Sequence, residues 1–277
     1  MSGPEVHDGL RALVRDAVAA LALAPSSSGV TMSDLSLDEE LNLHAVGWEA
    51  VELVSGYSVF SIPMGVWSWG QGEITSATEA HTKAFAGAIR RLHHEAAAVG
   101  GHGVVGVHIE RSIFSTHVAV SLIGTAVRPI GAGRVGDERV FVSDLSARDF
   151  ARLALAGWEP LGLASGASFV YAPRRTIGAA IAQQSQNVEL TNFTEAIYAA
   201  RELAMERMQR SAIDLHGSGV VEVKVLEGPM SFAAHAVGFT AWGTVVRLVD
   251  DEHRRMSPSL VVSLDDPVVA FDAATLG

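Results

Sequence analysis

The chain contains an internal repeat, and this repeat limits the possible fold more than any other feature of the sequence. Asp34-Leu35-Ser36 returns 110 positions later as Asp144-Leu145-Ser146, and Gly47-Trp48-Glu49 returns at the same offset as Gly157-Trp158-Glu159. Three more pairs follow in the same order at slightly larger offsets: Thr78–Ala80 with Thr194–Ala196, Gly103–Val105 with Gly219–Val221, and Gly124-Thr125 with Gly243-Thr244. Ordered matches over so long a span predict two homologous domains.

The repeat predicts the domain boundaries. The first domain occupies residues 31–130 and the second occupies residues 140–250, with Gly131–Gly136 as the connection. Residues 1–30 are predicted to form an amphipathic helix and a linker, because apolar residues recur there at helical spacing before a Pro/Ser-rich stretch. Residues 251–277 form a C-terminal extension that could add a strand to a neighbouring sheet.

Each copy is predicted to contain a short helix, a strand, a long helix and two further strands, which is an α+β unit. Ser36 and Glu39 have the spacing of a capping box, and Gly47 stands where a left-handed residue ends a helix. The long helices are expected at about residues 75–99 and 191–215, from apolar stripes at spacings of three and four. A Ser-Gly pair in the middle of each first strand predicts a bulge or a sharp bend there.

Composition excludes several functions. The net charge is −11, which argues against nucleic-acid and anionic-membrane partners because both require basic surfaces. The sequence has no cysteine, so disulfides, thiolate metal sites and cysteine nucleophiles are excluded. No stretch has the 18 or more apolar residues of a membrane span, and a cytoplasmic location is expected.

The small number of charged residues suggests that self-association hides part of the surface. Apolar residues make up 48% of the chain and charged residues only 18%, against about 25% charged in typical globular proteins. Both faces of the strand at 104–109 are largely apolar or glycine, although a sheet covered on one side only should alternate. We therefore expect the uncovered side to meet another copy of the chain, which predicts a homo-oligomer.

The segments Arg91–Glu110 and Gly124–Val127 resemble the YbjQ-like domains, a family described as putative heavy-metal-binding. Gly56-Tyr57-Ser58-Val59 is similar to the first strand of that family, whereas the second copy has Gly166-Ala167-Ser168 at this place and keeps the closing Gly243–Val246. The resemblance implies a long helix against an antiparallel sheet and assembly into rings, typically of five subunits. Tandem copies would form one pseudo-symmetric ring or two stacked rings.

Histidine is the only soft metal ligand available, and two histidines draw attention. His117 and His235 each follow a phenylalanine by three residues in the two copies. In a ring such residues could converge and bind a divalent transition metal. The alternative is a structural role, with each imidazole bonded to a backbone carbonyl or placed at a strand edge. His93-His94-Glu95 does not form a zincin motif, because Ala98 stands where the second histidine is required.

Trp67 and Trp69 lie in a glycine-rich loop that the second copy lacks. Exposed indoles could stack on an aromatic cofactor such as a flavin. Burial in a subunit interface is the alternative for such residues.

The sequence contains none of the common catalytic signatures. It has no Gly-x-Ser-x-Gly motif, no phosphate-binding loop and no dinucleotide fingerprint. The resulting hypothesis is a non-enzymatic, ring-forming oligomer that binds a metal or small ligand between domains. A structural scaffold without a ligand and a binder of an aromatic cofactor through Trp67 and Trp69 are the alternatives.

Overall fold

The computed structural model describes residues 31–63, 72–136, 139–172, 189–230 and 235–249. The predicted N-terminal helix, the C-terminal extension and the Trp67–Trp69 pair lie outside these residues. Among the described residues, no helix combines the length and the apolar character that crossing a bilayer requires.

Apart from two short strands, the helices and strands follow the same order in both copies. In chain order they are α1 (Leu37–Ala45), β1 (Trp48–Ser61), β2 (Gly72–Glu73), α2 (Thr75–Ala98), β3 (Gly103–Ile113), β4 (His117–Pro129), β5 (Phe141–Val142), α3 (Ala147–Leu155), β6 (Trp158–Tyr171), α4 (Thr191–Asp214), β7 (Gly219–Pro229) and β8 (Ala236–Leu248).

The longer elements match in length between the copies. The short helices have 9 residues, the first strands 14, the long helices 24, and the two following strands 11 and 13. In each copy the long helix packs on the first long strand and on the last long strand of that copy: α2 on β1 and β4, and α4 on β6 and β8. The predicted fold class is therefore confirmed: α+β, with a long helix on a small antiparallel sheet in each of two repeated units.

Each unit contributes a short strand to the sheet of the other unit. The first sheet has the order β1-β4-β3-β5 and the second has the order β2-β6-β8-β7. β2 lies in the first copy but pairs antiparallel with β6 of the second copy, whereas β5 lies at the start of the second copy and pairs parallel with β3 of the first copy. The two units are thus joined by backbone pairing as well as by the connecting chain.

The predicted helix ends agree with the structure. Ser36 and Glu39 form a reciprocal capping box at the start of α1, and the Ser146 side chain accepts from the backbone of Asp149 at the start of α3. Gly47 and Gly157 have φ values of +79° and +78°, the left-handed conformation that glycine adopts without steric cost.

The prediction that the Ser-Gly pairs bend the first strands was wrong. β1 and β6 run unbroken through these pairs, and the irregularities in register lie earlier, between Ala50 and Glu52 and between Pro160 and Gly162. A Cβ atom on Gly56 would press on the carbonyl oxygen of Ala88 and lie 2.9 Å from the backbone nitrogen of Leu92. Glycine is needed at this position because α2 crosses the strand at backbone contact.

One hydrophobic core extends across both units. α2 packs on β1 of its own sheet and also on β6 of the other sheet. Leu163, Ala167 and Phe169 of β6 therefore belong to the same core as the buried residues of α2. A second core lies between α4 and β6–β8, and a smaller cluster joins α1 and α3.

The close crossing at Gly56 predicts a large effect of one methyl group. Gly56→Ala should lower the free energy of unfolding by about 3 kcal/mol, because the helix must move away from the strand. Gly133→Ala is the matched control, since no atom lies within 4 Å of a Cβ atom at that position. Urea unfolding followed by circular dichroism measures both variants, and equal stabilities would contradict this account.

Candidate functional site at the contact between the two copies

Glu73 is the polar centre of the contact between the copies. Its Oε1 accepts hydrogen bonds from Thr78 Oγ1 at 3.0 Å and from Ser168 Oγ at 2.8 Å. Arg207 of α4 binds both carboxylate oxygens, with Nη2 2.8 Å from Oε2, and Nη1 also donates to the carbonyl oxygen of Ala167 at 2.8 Å. We call these four side chains, Glu73, Thr78, Ser168 and Arg207, the Glu73 node.

The node holds Glu73 in its charged form. Burial by itself would raise the pKa of Glu73, but the hydrogen bonds from Arg207, Ser168 and Thr78 and the charge of Arg207 keep this pKa below its ordinary value. The hydrogen bond to Glu73 raises the pKa of Arg207 in return. A two-pronged arginine–carboxylate pair fixes orientation as well as distance, so the node sets how the two copies meet.

A buried histidine and a buried arginine lie at the same contact. His81 of α2 packs between Phe85 and Phe169, with ring centroids at 6.2 and 5.9 Å. Burial lowers the pKa of His81 to about 3, and the charge of Arg111 acts in the same direction. Arg111 donates to the hydroxyl of Thr240 on β8, and burial lowers its pKa to about 10.

Backbone pairing closes the contact at the sheet edges. On the β3 edge, Ser143 N donates to Val104 O at 2.9 Å and Gly106 N donates to Leu145 O at 2.7 Å. On the β6 edge, Ile74 N donates to Phe169 O at 2.6 Å. Each copy thus uses a different side: the first offers α2 and the edge of β3, and the second offers the edge and outer face of β6.

The opposite sides of the two copies have no cover within the described part of the chain. Val59 is 46% exposed although its counterpart Phe169 is fully buried, Leu190 is 40% exposed against 6% for Ile74, and Val223 is 41% exposed against 4% for Val107.

The exposed apolar residues form two sets, one on each copy. We call the first set the outer face of the first copy: Leu37, Leu41, Leu53, Tyr57 and Val59. The other set is the outer face of the second copy: Leu190 and Val223. All seven are exposed, and all seven counterparts in the internal contact are buried.

The two histidines proposed as metal ligands have different surroundings. His117 stacks on Phe114 with ring centroids 4.5 Å apart, and its Nδ1 lies 2.9 Å from Thr116 Oγ1. His235 lies near Tyr171 and Phe193, and its buried Nδ1 has no hydrogen-bond partner among the described residues.

The strand register shows that these two histidines are not equivalent. His117 pairs with Ser61, the last residue of β1, whereas Ala236 pairs with Tyr171, the last residue of β6. The counterpart of His117 is therefore Ala236, one residue beyond His235. In the described ranges, no three histidine, aspartate or glutamate side chains gather closely enough to hold a metal ion. A metal site on these histidines would need ligands from outside the described part of one chain.

Sequence reasoning missed the Glu73 node. It used the repeated Thr78-Glu79-Ala80 but not the glutamate five residues earlier, which also repeats, as Glu73 and Glu189. The available signal was that three residues recur at one common offset: Glu73 as Glu189, Thr78 as Thr194, and Arg207 as Arg91.

A family model and a known protein match this sequence. Residues 48–129, which run from β1 to the end of β4, match the family model described as "Putative heavy-metal-binding", so this part of the chain is a YbjQ-like domain. Over 257 residues the chain is 32% identical to the encapsulin nanocompartment protein Rv1762c of Mycobacterium tuberculosis, covering 90% of this chain and 97% of that protein. The chain belongs to the family of that protein. None of the solved structures matches the chain.

The buried imidazole of His81 predicts acid sensitivity. In the unfolded chain a histidine binds a proton near pH 6.5, whereas folded His81 binds one only near pH 3. The contribution of neutral His81 to stability is therefore fully present above pH 6.5. Between pH 6.5 and about pH 3 the free energy of unfolding falls by about 1.4 kcal/mol for each pH unit. His81→Leu should remove this loss between pH 6.5 and 4.5, as measured by urea unfolding at each pH. His44→Leu, at an exposed position, is the control, and equal slopes for both variants would contradict the assignment.

Proposed function

We propose that this protein is a non-enzymatic structural subunit that assembles with copies of itself. The observation that carries the proposal is the difference in exposure between matched apolar residues of the two copies. Residues that are buried inside the chain on one copy have exposed apolar counterparts on the other. The same kind of contact between chains would bury them.

The energetics favour this reading. Full burial of a valine, leucine or isoleucine side chain stabilises a protein by about 1.5–3 kcal/mol, and seven large apolar side chains stand exposed on the two outer faces. The outer edges of β1 and β7 are also unpaired within the described residues. Long exposed edges with apolar side chains are sites for pairing with another chain.

The relative supports a shell as the form of the assembly, because it is named as an encapsulin nanocompartment protein. The two copies in one chain contact each other, and each copy uses a different side for this contact. A contact between different sides repeats head to tail, so it generates a closed ring or an open helix. A ring of chains then holds two copies per chain, and the proposed ring of five subunits would contain ten copies. The proposal also includes a cytoplasmic location for the assembly. It further includes membership of the second copy, residues 140–250, in the YbjQ-like family.

Assembly through the outer faces is tested by one charged substitution. The purified chain should sediment as a particle many times heavier than its 29.2 kDa. Val59→Glu should shift the protein toward the single-chain mass, because a charge would be buried without a partner. Ile130→Glu is the matched control, since Ile130 is exposed and its counterpart Val249 is exposed as well. A wild-type chain that sediments as a folded 29.2 kDa monomer would refute the proposed function.

Metal binding through His117 and His235 is a second proposal. The buried Nδ1 of His235 favours it, because this atom has no hydrogen-bond partner among the described residues and imidazole nitrogens are common zinc ligands. Calorimetric titration of zinc into metal-free protein should then release heat, and His117→Ala with His235→Ala should remove it. His44→Ala is the control. Heat that is absent, or unchanged in the double variant, would end this proposal.

A further inference from the structure

The Glu73 node exists a second time, in two separated halves. Glycines at the two helix crossings fix the correspondence, since Gly56 lies against Ala88 and Leu92 as Gly166 lies against Ala204 and Met208. By the same offsets, the counterparts of the four node residues Glu73, Thr78, Ser168 and Arg207 are Glu189, Thr194, Ser58 and Arg91. All four residue types are identical between the node and its second set.

One half lies on the first copy and lacks its acceptor. Ser58 is 2% exposed, and its Oγ has no hydrogen-bond partner within the described residues. Its counterpart Ser168 donates to Glu73. Arg91 is exposed and donates to the carbonyl oxygen of Gly87 at 3.3 Å, whereas its counterpart Arg207 binds a carboxylate. A buried hydroxyl without a partner is costly, so it indicates a missing ligand.

The other half lies on the second copy and presents the acceptor. Glu189 accepts from Thr194 Oγ1 at 2.8 Å, in the way that Glu73 accepts from Thr78 Oγ1 at 3.0 Å. Glu189 is exposed, whereas the Glu73 side chain is only 17% exposed between its partners. The carboxylate is thus already oriented by its threonine and faces solvent at the place where Glu73 meets Ser168 and Arg207.

We infer that Glu189 of one chain binds Arg91 and Ser58 of the next chain and so rebuilds the Glu73 node between subunits. This inference rests on the proposed function and adds the contact and its direction. The partner is another molecule of this chain, placed head to tail.

Backbone pairing supports the same arrangement. Glu73 pairs with Val170 on β6, and the counterparts of these residues are Glu189 and Phe60, which lies on the open edge of β1. Phe141–Val142 pairs with Gly103–Val104 at the β3 edge, and the counterparts are Thr31–Met32 and Gly219–Val220 at the open edge of β7. Both segments that would reach a neighbour lie beside the faces that the neighbour would cover.

Charge reversal tests the ion pair in the full-length chain. Arg91→Glu and Glu189→Arg should each weaken assembly by at least about 100-fold in the apparent dissociation constant, because like charges then face each other. The double variant Arg91→Glu with Glu189→Arg should recover assembly. Arg90→Glu, which changes the adjacent exposed arginine, is the control and should assemble like the wild type. Sedimentation velocity over a concentration series measures all four, with circular dichroism to confirm folding.

Disulfide trapping gives a second readout that does not depend on charge. The chain has no cysteine, so Phe60→Cys with Glu189→Cys introduces a single possible pair. Opposed residues of antiparallel strands have Cα atoms at about 4.5–5.5 Å, which suits a disulfide. The double variant should give a ladder of covalently joined chains under mild oxidation. Glu73→Cys with Val170→Cys is the control, and its disulfide should form within one chain.

The outcomes separate the inference from the proposed function. A wild-type chain that stays monomeric overturns both. The Glu189–Arg91 contact alone is overturned, with self-assembly left standing, by a chain that assembles but is unaffected by both single charge reversals. The same conclusion follows if Phe60→Cys with Glu189→Cys still assembles in sedimentation but gives no ladder, while the internal control disulfide forms. Weakened single variants with recovery in the double variant, together with the ladder, support the inference.

Discussion

The packing of α2 between two sheets is the interaction on which the rest of the structure depends. A small sheet has two faces, and the helix of its own unit covers one of them. In the first copy the helix carries apolar residues on two sides, so it covers β1 with one side and β6 with the other. The strand exchange by β2 and β5 and the Glu73 node all lie around this shared helix. One copy without its neighbour would expose the β6 face and an edge of each sheet.

Most of the fold was predictable from the sequence because its signals are local and repeated. The offsets of the repeat, the capping box at Ser36 and the glycines at helix ends predicted each long element and its order. The two-residue strands β2 and β5 could not be predicted in this way, because two residues carry no periodicity and their pairing is fixed by the neighbouring unit. The Ser-Gly prediction was wrong for a related reason, since glycine there serves a helix that crosses the strand far along the chain.

The candidate site was less predictable than the fold. Pairing His117 with His235 depended on a sequence offset that drifts along the repeat, and an error of one residue in a strand exchanges one sheet face for the other. Glu73 was missed because its recurrence as Glu189 indicates no contact until its distant partners are known. Ser168 and Arg207 lie more than ninety residues away in sequence and reach Glu73 only after both sheets have formed.

The internal contact and the inferred contact between chains differ in one respect that bears on specificity. His81 packs against Phe169 beside the buried Arg111 inside the chain, whereas the counterparts of these three residues are Ile197, Val59 and Glu227. A neighbour would therefore bring an apolar residue where the internal contact has a buried imidazole, and an acid where it has a buried arginine. A buried charge that loses its partners is strongly destabilising, so exchange of one contact for the other would be penalised. The internal contact also forms at no cost in translational freedom, while each contact between chains bears that cost. Both effects direct the two copies of one chain to join first, which leaves one outer face of each kind for the next chain.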